Sequence, residues 1–173
     1  MLKTTPLIKG IITGSLMLLT TLIMGLMKIP ASSGVQYLIY IFYGAGIGWT
    51  LYEYAKSPAY TGKFGAMFST GFRCFVVVTL IMVIFTFLYI QFNPAFGDEM
   101  ANLYREALTN SKDVLPNTID DEVKKFRESF TTRMVSMSIF QFLVLGAIFT
   151  AGWSALILIR KKMQETNQNV RIS

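Results

Sequence analysis

Few side chains in this sequence have the types and spacing to do chemistry. Glu53 and Arg73 stand at the facing ends of two apolar runs. A carboxylate and a guanidinium so placed can form a boundary ion pair or, if wet, a gate or proton site. Anchoring at the membrane surface is the simpler role for such a pair. Asp120, Asp121 and Glu122 are three successive carboxylates. They could hold a divalent cation, yet acids in a helix's first turn are what the helix dipole favours, and that reading takes precedence. Cys74 is the single cysteine, can form no internal disulfide and reads as a small packing residue. The chain has no histidine. That removes Ser-His and Cys-His nucleophile systems, His-ligated zinc and a histidine proton relay. The residues therefore point to no catalytic, cofactor or metal site, and the expectation is a protein that is not an enzyme.

The stretch "YGAGIGW", residues 43–49, looks like the start of a nucleotide-binding loop. A dinucleotide fingerprint needs Gly-x-Gly-x-x-Gly between a strand and a helix, and the third position counted from Gly44 is Trp49. Gly44 and Gly48 are instead four apart, on one helix face, where small residues let a neighbouring helix approach closely. Gly10 and Gly14 repeat the spacing, and Ala147, Ala151 and Ala155 do so late in the chain with Gly146 and Gly152 on flanking faces. These six glycines are the expected helix-packing positions.

The elements that must carry them are set by lipid. Of the 173 residues, 53% are hydrophobic and 15% charged, well below the roughly 25% charge of soluble domains. Charge-free windows cover residues 10–27, 29–52, 74–97 and 134–159. Each can span about 30 Å of hydrocarbon, which takes on the order of 20 helical residues. Barrel strands would alternate polar and apolar, whereas "FVVVTLIMVIFTFLYI", residues 75–90, is apolar on every side. The reading is one all-α membrane domain over 1–173, a bundle of four spans at about 8–28, 35–55, 70–91 and 134–160. The first run is too long for a signal-peptide core, and Lys28 with Pro30 separates it from the small residues at 31–33.

Orientation follows from Lys and Arg, because basic short loops stay in the cytoplasm. With the N-terminus inside, the inner segments hold nine bases and two acids, net +7, and the outer segments seven bases and eight acids, net −1. Both termini then lie inside an inner (cytoplasmic) membrane. The basicity is a topology signal and implies no nucleic-acid partner.

Between the third and fourth spans, residues of about 94–133 form a helical extracytoplasmic extension. Asp98, Glu99, Met100, Leu103, Tyr104, Ala107 and Leu108 set one amphipathic stripe, and "NSKDVLPNT" at 110–118 breaks it. Thr118 with Asp121 fits a capping box, and Ile119, Val123, Phe126 and Phe130 share a face. The stripes face each other or the membrane surface, and the last helix runs unbroken from near Thr118 to about Lys162, past the bilayer. Residues 55–73 read as a short interfacial element whose Lys63 and Arg73 suit anionic headgroups. Tyr40, Tyr43, Tyr52, Tyr54, Tyr89 and Trp49 sit toward span ends as an interfacial belt, and Gln141 is a polar group able to bond helices together.

"TGKFGAMFSTGF" (61–72) leading into an apolar span, then "QFNPAF" (91–96), a charged helical outer segment and a glycine-bearing last span ending in bases resemble a bacterial family. It is catalogued as domain of unknown function 4199 and found chiefly in Bacteroidetes. The likeness covers roughly residues 8–162. It implies a four-span inner-membrane protein and brings no activity or catalytic residue. Three functional readings follow: an accessory or assembly subunit of a cell-envelope complex, with a protein partner at the outer segment; a small permease, necessarily a homo-oligomer because no internal repeat pairs the spans; and, least favoured, a lipid-acting enzyme.

Overall fold

In lipid a backbone must satisfy its own hydrogen bonds, and the described residues form helices and no strand. The computed structural model describes residues 5–27, 34, 35, 37–111 and 118–172. Lys28, Pro30 and the small residues at 31–33 lie outside that set, as does the expected turn except for residues 110, 111 and 118.

Five helices follow in order: α1 Pro6–Leu26, α2 Tyr37–Lys56, α3 Phe64–Phe92, α4 Pro94–Asn110 and α5 Ile119–Ile172. The Thr5 hydroxyl accepts from the Ile8 amide, and Pro6 supplies a preset φ at the first helical position. α3 starts earlier than expected, so most of the supposed interfacial stretch at 55–73 is helix. The chain turns at Gly62, whose φ of +70° suits glycine, and from Phe64 onward no proline interrupts. α3 stops at the Asn93-Pro94 step, because proline forces its predecessor out of helical geometry. α5 is one helix of 54 residues, against the roughly 20 that cross a bilayer core.

Three helices, α1, α3 and α5 over Ile119–Gln164, are long and apolar enough to cross a membrane, the character of a membrane protein. α2 has the length at 20 residues. Its tyrosines, its three glycines, Glu53 and Lys56 lower its hydropathy.

Contacts group into two compact units, one from Met1–Met82 with Gln141–Ser173, the other Val83–Phe140. In the first, Met17, Tyr43, Ile47, Leu51, Met67 and Val78 are fully buried. The expected aromatic belt is corrected at Tyr43. Its hydroxyl donates to the Phe142 carbonyl at 2.9 Å, and its ring meets Phe142 and Phe149 edge-on. A phenol is amphipathic enough to serve as a core residue once its O–H has a partner. Gln141 donates to the Tyr40 hydroxyl, joining α5 to α2.

In the second unit α4 packs on the start of α5. Tyr104 stacks on Phe126 with centroids 4.4 Å apart, and Phe96 meets Phe130 at 5.8 Å. The stripe Ile119, Val123, Phe126 and Phe130 faces inward. The α4 stripe is corrected in phase: Ala101, Tyr104 and Leu108 turn inward while Leu103 and Ala107 are exposed. Arg127 pairs with Asp98 at 3.1 Å, and Arg105 pairs with Asp120.

Candidate functional site

The strongest concentration of chemistry lies in the first unit, where the start of α1 meets the end of α2. Lys9 is one turn into α1, and its side chain is 4% exposed. Its ammonium pairs with Glu53 and lies 5.4 Å from the centre of the Trp49 ring. Trp49 and Glu53 are four apart on α2, so both reach the same point. The Trp49 indole N–H donates to the Glu53 carboxylate at 2.7 Å. Taking a charge out of water costs several kcal/mol unless it is paired and hydrogen-bonded. Glu53 together with Trp49 supplies that compensation.

The same region carries two more lysines on aromatic faces. Lys56 sits 4.2 Å from the Tyr52 ring centre, and Lys161 donates to the Ala55 carbonyl while lying 3.8 Å from the Tyr60 ring centre. Thr50 donates to the Gly46 carbonyl at 2.9 Å and lies 3.3 Å from Cys74 Sγ. Cys74 is fully buried. Beside these groups is a cavity of about 580 Å³, lined by Thr5, Lys9, Thr50, Glu53, Lys56 and Thr70 among others. It joins two ammonium groups, one carboxylate and several hydroxyls in front of apolar walls that include Pro6 and Pro58. Such an arrangement can hold a polar ligand head. No nucleophile and base are paired in it as acyl transfer would need.

Residues 9–158 match the family described as "Protein of unknown function (DUF4199)". The chain belongs to that family. No curated protein and no solved structure matches it. The matched stretch begins at Lys9 and takes in every cavity-lining residue from Lys9 to Thr70.

The expected packing glycines fall at different contacts. A Cβ on Gly10 would lie 2.7 Å from the Cys74 carbonyl oxygen, and one on Gly14 2.7 Å from Ile81. Gly44 and Gly48 face the rings of Phe149 and Trp153, and Gly146 faces Tyr43 and Phe75. Gly152 is different, since nothing stands within 4 Å of the position its Cβ would take. Glu53 meets Lys9 where the sequence suggested Arg73. Helical phase explains this: Gly71 and Cys74 face the interior, which turns Arg73 outward.

Three residues escaped the sequence reading. Lys9 is not among the residues the sequence singles out, although the expected first span, from about residue 8, already contains it. Gly46 admits Thr13, and Gly71 admits Thr150. The alternate spacing Gly44, Gly46, Gly48 carried the first signal, because positions two apart on a helix open opposite faces. Asp120, Asp121 and Glu122 occupy the first turn of α5. Asp120 takes Arg105, Glu122 takes Lys125 at 3.0 Å, and among the described residues no three acidic or cysteine side chains gather to hold a metal.

Proposed function

We propose that this protein crosses the cytoplasmic membrane four times with both termini inside, and serves as an accessory or assembly subunit of a cell-envelope complex. The filled interior of the first unit carries the reading. Met17, Tyr43, Ile47, Leu51 and Val78 are fully buried at its centre, so a solute path through a single copy would have to run through closely packed side chains. α2 serves as the fourth span because α1 and α5 flank it, with Thr13 at Gly46 on one face and Trp153 at Gly48 on the other. The α4–α5 hairpin supports docking outside the membrane. Much of its apolar surface is buried between the two helices, and its outer surface carries the ion pairs Arg105–Asp120 and Arg127–Asp98 beside the exposed Leu103, so a partner would meet a preformed, largely polar surface.

The second reading is an oligomeric permease, favoured by one observation: Lys9, Thr13, Thr50, Thr79, Thr150 and Ser154 are buried polar residues within the helices of the first unit. Intramembrane polar groups often mark transport paths. Replacing residues 97–129 by a short Gly/Ser linker separates the two. The accessory reading expects an inserted, folded bundle that no longer co-purifies its partner in mild detergent. Retention of every partner by the linker variant, or absence of any partner for the full chain, sinks it.

A further inference from the structure

We infer that the cavity at Lys9, Glu53 and Lys56 is a binding site for a phosphate group, presented by a phospholipid head or by a soluble phosphate ester. The cavity has a volume of about 580 Å³, within the roughly 300–1,000 Å³ range of small-ligand sites. Its charge is the first argument. Lys9 and Lys56 line it against one carboxylate, Glu53, and that carboxylate already accepts from Lys9 and from Trp49. One positive charge is left over. The α1 amino-terminal end, at Thr5 and Pro6, also opens on the cavity and adds its partial positive charge.

The hydroxyls give the second argument. Those of Thr50 and Thr70 lining the cavity donate back to helix carbonyls, of Gly46 and Ala66 respectively, and Ser57 donates to the Tyr54 carbonyl. Their protons are engaged, so the donors left to an incoming ligand are the ammonium groups and the hydroxyl of Thr5, which accepts from the Ile8 amide. A lysine ammonium has three N–H donors, and Lys9 spends one on Glu53 and rests on the Trp49 face. Burial supplies the third argument. Lys9 is 3% exposed, so its ammonium is less screened by water than that of a surface lysine and attracts an anion more strongly. A lysine also suits phosphate as a point charge, without the paired geometry that arginine requires. Apolar walls at Pro6, Tyr54, Pro58 and Ala59 would accept the glycerol or acyl carbons next to the phosphate. The inference is independent of whether the outer hairpin docks a partner.

The test uses the full chain purified in mild detergent and equilibrated with phosphatidylcholine vesicles carrying a minority of phosphatidylglycerol. Native mass spectrometry counts the phosphatidylglycerol retained per chain, and titration with inorganic phosphate or glycerol 3-phosphate asks whether a soluble phosphate competes. Lys56→Met removes the exposed ammonium without touching the core. Lys9→Met with Glu53→Gln removes both members of the ion pair, so the buried end is not left with an orphaned charge. Each should weaken retention about tenfold or more, since a hydrogen bond to a charged group contributes roughly 1.5–3 kcal/mol and 1.4 kcal/mol is tenfold. Lys63→Met, whose side chain is exposed and outside the cavity lining, should leave retention unchanged. Retention that soluble phosphates do not displace identifies a lipid head, and displacement identifies a soluble ester; either supports the site. No phosphate compound held by the wild type, or wild-type retention by both variants, overturns it.

Discussion

Gly10→Ala adds one methyl group where α1 lies against the backbone of α3. The new Cβ would lie 2.7 Å from the Cys74 carbonyl oxygen and 2.9 Å from Val77 Cβ. Carbon–oxygen contacts between packed helices run at about 3.3–3.6 Å, so the substitution drives α1 away from a piece of backbone that cannot rotate aside. Overpacking of this kind costs about 1–3 kcal/mol. Alanine returns about 0.8–1.0 kcal/mol over glycine in a helix, which leaves a net loss of up to about 2 kcal/mol. Gly44→Ala makes the same chemical change without the clash, since its Cβ would meet Phe149 at 3.4–3.6 Å, an ordinary contact. It should be neutral or gain up to about 1 kcal/mol, and Gly152→Ala, with open space around it, should behave likewise. Both variants gain the same helix propensity, so the overpacking cost alone separates them; at about 2–4 °C per kcal/mol for a chain of this size, Gly10→Ala should melt roughly 2–12 °C below Gly44→Ala. Thermal unfolding of the detergent-solubilised proteins, followed by circular dichroism or tryptophan fluorescence, measures this directly. If Gly10→Ala melts at or above Gly44→Ala, the close approach of α1 to α3 is wrong.

Membrane orientation is open to a direct check: a reporter active only outside the cytoplasm should work when fused near Asn110 and stay silent near Gly62 or after Lys162, and activity at Gly62 would reverse the topology. Tyr43→Phe removes the O–H that donates to Phe142 at 2.9 Å while keeping the ring; because a helix carbonyl retains its backbone partner, the loss should be only about 0.5–1.5 kcal/mol, and a larger drop in melting temperature would mean that the hydroxyl has a further role.

Sequence reading succeeded where a single residue decides the backbone. Proline at 94 ends α3 whatever surrounds it, and the uninterrupted inward stripe at Ile119, Val123, Phe126 and Phe130 already described the start of α5. It failed where a neighbour decides. The α4 stripe drawn from composition included Leu103, yet the aromatic partner on α5 fixed the phase at Ala101, Tyr104 and Leu108. The small-residue spacing located a contact at Gly48 but could not say that Trp153 would fill it and donate its indole N–H to the Gly44 carbonyl at 3.0 Å. At Gly71 the spacing gave no sign of a contact, because its partner, Thr150, lies on a helix far along the chain.

The candidate site was the least legible part, and the reason lies in how charges are counted. Topology depends on the sum of charges on each side of the membrane, and Lys9 and Glu53 were assigned to the same side. Pairing them removes one positive and one negative charge together, so the inner excess of +7 and the orientation drawn from it are untouched. The local consequence is large all the same. Lys9, counted among the inner bases, is buried in the bundle, and the carboxylate expected to meet Arg73 pairs with it. Arg73 then remains on the exposed face of α3, available to lipid as Lys63 is, while the excess charge inside the cavity falls to Lys56 and the start of α1. Which bases stay at the surface, as Lys56, Lys63 and Arg73 do, and which is drawn into the bundle, as Lys9 is, is thus a property of helix packing: Glu53 and Trp49 of α2 hold the Lys9 ammonium, and Gly10 and Gly14 let α1 lie close to α3.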